Sequence, residues 1–208
     1  HGLFTFARPV QERLPVKMGS MRGPKSFEVA GEFSDGCHHA LGYTRRAYEY
    51  GFEHFSTGAK RAGKNPDDLD FAAWVVTAVG RDSAAAKQAA RSMVGIYASS
   101  MPNELLERNG VDPAEIAPIV EAMCDGELAK SIELTSPDLA EKLSIAGTPE
   151  EVTAKIKAEL EGTGVNHYIA AITDASLVKA FTGQTVEGVA SVDEQLRLLA
   201  DEVMPNFR

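Results

Sequence analysis

Leu14-Pro-Val-Lys-Met-Gly-Ser-Met-Arg-Gly-Pro-Lys-Ser-Phe-Glu-Val-Ala-Gly-Glu-Phe-Ser-Asp-Gly36 reads as strand, tight loop and helix. The apolar run from Val16 to Met18 is the strand and Gly19-Ser20-Met21-Arg22-Gly23 the loop. Pro24 takes the first helical position, where its missing N–H has no partner to lose. The unpaired N–H groups of Arg22, Gly23, Lys25 and Ser26 then point out of the helix start, backed by the positive end of the helix dipole. Gly19 and Gly23 let a bound phosphate approach the backbone, and Arg22 and Lys25 add charge. The same spacing is that of an ordinary βα turn, so the loop alone leaves an anion site and a plain connection both open.

The chain around it repeats this alternation. In the first helix Phe27, Ala30 and Phe33 recur at helical spacing as an inward face, and Gly31 allows close approach to the sheet. Cys37-His38-His39-Ala40-Leu41 is a second buried strand. Adjacent histidines on a strand point to opposite faces, so they cannot chelate one ion together and no metal site is expected; His38 or His39 lines a pocket or is simply a satisfied histidine. Thr44 caps a long helix ending at Gly63, with Tyr48, Phe52, Phe55 and Ala59 as a core stripe. Residues 69–79 are apolar on both alternating faces, which belongs to a parallel sheet covered by helices. Asp82 caps an Ala-rich helix to about Tyr97.

From 99 to 138, Pro102, Pro113, Pro118 and Pro137 separate short helical pieces at 104–108 and 114–123, a helical excursion expected to be a lid or an oligomer contact. Thr148 with Glu151 is a capping box, and Pro149 again stands first in its helix, which runs to Leu160. Residues 165–172 form a fourth strand. Ser191 with Glu194 reads as another box, opening a terminal helix through Leu196, Leu199 and Val203.

Composition narrows the partners. The formal net charge of -9 and pI near 5.1, with cations scattered, argue against nucleic acid or an anionic membrane surface. No apolar run approaches the roughly 18 residues of a membrane span. Cys37 and Cys124 are too few for a disulfide framework, and a reducing cytoplasm is the default. The chain starts at His1 with no signal peptide and reads as cut or processed at its N-terminus. It is organised as one domain: an incoming loop over 1–13, β/α units over 14–98, the excursion over 99–138, and a last β/α unit with the terminal helix over 139–208.

Four strand–helix alternations give parallel α/β structure. A doubly wound sheet would carry G-x-G-x-x-G early, and this chain does not. A (β/α)8 barrel takes about 250 residues, so four units make half of one.

Pro15-Val-Lys-Met-Gly-Ser20 with Gly23-Pro24-Lys25, Ala30-Gly31-Glu32 and Ser34-Asp35-Gly36 resembles the fifth strand and helix of the bacterial luciferase-like flavin or deazaflavin oxidoreductases. Ala146-Gly147-Thr148-Pro149-Glu150-Glu151, Gly164-Val165-Asn166-His167 and Glu202-Val203-Met204-Pro205 are similar to that family's C-terminal half. The pattern is nearest the branch containing 5,10-methylenetetrahydromethanopterin reductase, which uses coenzyme F-420. The resemblance implies a (β/α)8 TIM barrel with Gly19, Ser20, Met21, Arg22, Gly23, Pro24 and Lys25 around the cofactor's phosphate, and His39, Ala40 and Thr173 lining the pocket. It implies a cytoplasmic oxidoreductase passing hydride between reduced coenzyme F-420 and an electrophilic carbon of a small-molecule substrate, with no catalytic acid or base named in this half. Two alternatives stay open: an FMN-dependent monooxygenase, since both cofactors offer a phosphate, and a non-catalytic half-barrel that pairs with a missing N-terminal half or with itself as a homodimer.

Overall fold

The strand over Asp70–Val79 (β3) organises the sheet, as its two-sided apolar pattern predicts. In the computed structural model, which describes residues 11, 13–183 and 185–207, β3 pairs in parallel with Gly36–Ala40 (β2) along Asp70–Trp74 and with His167–Ile172 (β5) along Ala72–Thr77. Ala72, Ala73 and Trp74 pair with both, so β2 and β5 occupy opposite edges of β3. Lys17–Ser20 (β1) adds to β2, again in parallel. The incoming loop expected over 1–13 falls, for residues 1–10 and 12, outside the described residues. The first strand begins and ends later than its apolar run suggests: Gly19 and Ser20 extend it, and the loop shrinks to Met21–Gly23.

One strand was not expected. Ile145–Gly147 (β4) pairs with Thr77–Val79, the last three residues of β3. Three residues carry no period, so sequence alone read this stretch only as the approach to a helix cap.

Pro24–Phe33 (α1) and Arg45–Arg61 (α2) cover one face of the sheet. Phe27, Phe55 and Phe71 pack there without solvent exposure, Phe55 and Phe71 with centroids 5.3 Å apart. The helices cross almost in backbone contact: a β-carbon on Gly31 would stand 2.1 Å from the Phe55 carbonyl oxygen, and one on Gly58 1.8 Å from that of Glu28. Gly31 therefore admits α2, not the sheet as its sequence context suggested. Phe33 is also corrected, being 73% exposed. At about 100° per residue it lies roughly 240° around α1 from Phe27, off the face that Phe27, Ala30 and Gly31 define.

Thr44 caps α2 through the Ala47 N–H, and Asp82 caps Ser83–Ala98 (α3) through that of Ala85. The excursion resolves into Asn103–Arg108 (α4), Pro113–Cys124 (α5), Leu128–Leu134 (α6) and Pro137–Lys142 (α7). Leu105, Ile119 and Leu139 are buried in the main core, and α6 and α7 pack on α3. Pro149–Leu160 (α8) starts at the predicted capping box, with both reciprocal bonds present. Its Glu159 accepts from the Arg45 N–H at 2.7 Å, locking it to α2. After β5 come Ala175–Thr182 (α9), capped by Asp174 and absent from the sequence reading, and Val192–Leu198 (α10). At α10 only half of the predicted box forms: Ser191 accepts from the Glu194 N–H. Among the described residues no helix is long and apolar enough to cross a membrane.

Candidate functional site

Parallel pairing places Gly19, His38 and Ala72 side by side, with Ala40 and Trp74 one step further along, on the face of the sheet away from α1 and α2. At the C-terminal ends of β1 and β2 this face forms a pocket of about 360 Å³. Gly19, His38, Ala40 and Trp74 line it from the sheet, Met21 and Leu41 from just beyond the strand ends, and Tyr97 and Ser100 close it. Tyr97, from the end of α3, meets the Trp74 ring edge-on at 5.0 Å. The wall is thus flat, aromatic and mostly apolar, suited to holding a planar ring.

His38 is the titratable group of the sheet wall. Burial, and then the Lys17 charge, hold its imidazole below the usual histidine range, so it is neutral near pH 7. Deeper on the same face Lys17 reaches past the bare Gly36 to pair with Asp70, and its Nζ lies 3.2 Å from His167 Nδ1. Burial pushes the Asp70 carboxyl up, but Lys17 and His167 outweigh it and keep that carboxyl below its ordinary value.

Two pocket residues expected from sequence lie elsewhere. His39 points to the opposite face, fully buried, with Phe27 edge-on at 4.8 Å and Tyr48 at 5.3 Å. Neither of its ring nitrogens has a hydrogen-bond partner, and burial, with a smaller contribution from Arg108, pushes its pKa down to about 3. Strand alternation makes His38 the pocket residue. Thr173 is also fully buried, its N–H donating to the Thr77 carbonyl and its own carbonyl accepting from Gln195. It closes the end of β5 outside the pocket. Ala40 does line it.

Met21 carries the pocket wall into the α1 loop. Gly23 is the N-cap of α1 in ordinary extended backbone, φ −114° and ψ 164°, and no side chain caps the helix. A β-carbon on Gly19 or Gly23 would meet nothing within 4 Å, so the space before the helix start is open to a ligand. Arg22, Pro24 and Lys25 are exposed around it. Two expected contributions are spent internally: the Ser26 N–H bonds the Gly23 carbonyl at 3.2 Å, and the buried Ser20 hydroxyl donates to the Ser26 carbonyl at 3.1 Å. The free donors are therefore fewer than the four read from sequence.

Arg108, at the end of α4, was not legible. Its guanidinium lies 3.6 Å from the Tyr50 ring centroid and donates to the Arg22 carbonyl at 3.5 Å. That brings a third cation to the loop across 86 residues of chain, a distance no local pattern spans.

A parallel sheet with helices on its outer face, and a pocket at its strand ends beside an uncapped helix start, defines a protein of (β/α)8-barrel type, of which this chain carries five parallel strands, one more than the four units expected from sequence. The chain belongs to the luciferase-like monooxygenase family, whose sequence profile matches residues 1–167. It is 34% identical over 158 residues to a 5,10-methylenetetrahydromethanopterin reductase of Methanolobus tindarius, covering 76% of this chain and 48% of the relative. To the enzyme of that name from Methanopyrus kandleri it is 29% identical, covering 97% of this chain and 53% of that one. The solved coenzyme F-420-dependent tetrahydromethanopterin reductase of Methanopyrus kandleri superposes with a TM-score of 0.76 at 28% identity, over 94% of this chain and 51% of that one. The chain spans about half the length of the curated relatives it matches.

Proposed function

We propose that the pocket and the α1 loop bind coenzyme F-420 and that the protein is an oxidoreductase, transferring hydride between the reduced deazaflavin and an electrophilic carbon of a small organic substrate. One observation carries this reading: the pocket formed by Trp74, Tyr97 and His38 is lined also by Met21, two residues before an uncapped helix start at Gly23. A ring and a phosphate on one ligand match those two features, and the similarity to reductases named for this cofactor supports the match. The cofactor supplies the hydride chemistry. The chain's own residues hold and orient it: the N–H groups at Gly23 and Lys25 take the phosphate, with Arg22, Lys25 and Arg108 as exposed or half-buried charges around it. Trp74 and Tyr97 keep water from the ring, and the neutral His38 offers a hydrogen bond at the pocket floor.

FMN is the second reading, favoured by the family's monooxygenase description; its phosphate would use the same loop. A homodimer, or pairing with further β/α units, in a cytoplasmic setting belongs to the same proposal. Leu14, Val16 and Phe33 support it, being exposed apolar side chains on β1's approach and on α1.

Parallel titrations with coenzyme F-420 and FMN, read by quenching of Trp74, the one tryptophan of the chain, test the proposal. Saturable quenching by coenzyme F-420 with weaker binding of FMN is the expected result. Preference for FMN would select the monooxygenase reading, and binding of neither would reject cofactor binding by this chain.

A further inference from the structure

Leu41 directly follows β2 with φ 64°, the one non-glycine residue in the left-handed region among the described residues. Its β-carbon makes that conformation unfavourable, and such backbone persists only where the surroundings over-determine it. Three side chains do so here. Asn109, 2% exposed at the end of α4, donates from Nδ2 to the Leu41 carbonyl at 3.1 Å and to the Leu105 carbonyl at 2.9 Å. Its Oδ1 accepts from the Tyr43 N–H at 2.9 Å. The Tyr48 hydroxyl donates to the Gly42 carbonyl, and the His39 ring stands 2.5 Å from where a Gly42 β-carbon would be, closing that side of the turn.

Leu41 is also part of the pocket wall, on the same lining as Trp74. The amide that secures it comes from the helical excursion, 68 residues away. Only Asn or Gln presents two donors and an acceptor in one planar neutral group, and the shorter Asn fits between α4 and the turn.

We infer that Asn109 is a positioning residue for the pocket: it clamps Leu41 in the left-handed conformation, so the placement of the excursion and the shape of the pocket are one mechanical unit. This rests on the proposed function only for what occupies the pocket; the clamp stands without it.

The test uses Asn109→Ala in the purified protein, at a temperature well below its melting midpoint. The acrylamide quenching constant of Trp74 is expected to rise at least about two-fold with far-UV circular dichroism unchanged, and the dissociation constant for coenzyme F-420 to rise about ten-fold. A merely structural role would lower the melting temperature and leave Trp74 quenching where it was; that result overturns the inference. If the unaltered protein binds no coenzyme F-420, the functional reading fails and Trp74 quenching alone decides the clamp. If the variant does not fold, amide exchange of the unaltered protein decides instead. The Tyr43 N–H, held by Asn109, is expected to show the protection factor of the Asn109 N–H within about two-fold, because turn and α4 open together. A Tyr43 protection factor ten-fold below that of Asn109 overturns the clamp.

Discussion

Gly23→Asp separates folding from binding at the α1 loop. Gly23 is in extended backbone that any residue adopts, and its β-carbon position is empty to 4 Å, so the substitution is sterically free. The new carboxylate becomes an N-cap acceptor for α1, which now has none from a side chain. Replacing glycine by aspartate at an N-cap gains a few tenths of a kcal/mol, and the helix dipole adds to it. The same carboxylate fills the space where a ligand phosphate would meet the N–H groups. Two unit charges about 4 Å apart near a protein surface repel by about 4 kcal/mol at an effective dielectric of 20, close to a thousand-fold in affinity. Screening at physiological salt lowers this, so a hundred-fold loss is the conservative expectation. Thermal unfolding and coenzyme F-420 titration of the unaltered protein, Gly23→Asp and Gly23→Ala are the assays. Gly23→Asp should melt no lower than the unaltered protein and bind at least a hundred-fold more weakly, whereas Gly23→Ala should lose some stability and keep affinity within a few-fold. An aspartate variant that binds as tightly as the unaltered protein would refute the phosphate-loop reasoning.

Gly58→Ala sets helix propensity, worth about 1 kcal/mol in favour of alanine, against a backbone clash. The β-carbon would have to retreat about 1.6 Å from the Glu28 carbonyl to reach ordinary 3.4 Å contact, prising α1 from α2. A net loss of about 2 kcal/mol is expected, seen as a urea midpoint lowered by roughly 1 M; a variant at or above parental stability would contradict the tight crossing. The Glu151 carboxyl is held at about 2, below its usual 4.5, first by the Ser83 hydroxyl and then by the Thr148 N–H, with Lys87 adding to both. A depressed carboxylate stabilises the fold above its unfolded pKa, and that contribution fades as pH falls from 4.5 towards 2. Glu151→Gln should therefore melt below the parent at pH 7, by no more than about 1 kcal/mol since the side chain is 42% exposed, and the gap should close below pH 4.5. A gap constant down to pH 2.5 would place the effect elsewhere. Phe33→Ser should leave the monomer's stability within about 0.5 kcal/mol, because the ring is 73% exposed, and weaken self-association in sedimentation; unchanged association would remove Phe33 from any interface.

What could be read from the sequence is what short-range chemistry decides. Pro24, Thr44, Asp82 and Thr148 set helix starts from their own side chains, and β3 declares a two-sided environment in its composition. Alternation shows that His38 and His39 face opposite ways, but which way is inward depends on where α1 and α2 pack. Phe33 fits a helical period and is still exposed, because a six-residue step is not a same-face step. β4 exists only as a ladder partner of β3. Leu41 adopts backbone its residue type disfavours, because Asn109 holds it from another part of the chain, and Arg108 reaches the α1 loop through the same tertiary arrangement.

On the proposed function, one ligand bridges the α1 helix start and the Trp74 wall. Backbone amide spectra recorded while coenzyme F-420 is added test it most directly. The account predicts saturable shifts of the Gly23 and Lys25 amides, concurrent with shifts of the Trp74 indole N–H and at the same midpoint. Shifts confined to other parts of the fold, or a coenzyme that perturbs the Trp74 wall and leaves the Gly23 and Lys25 amides unmoved, would contradict it.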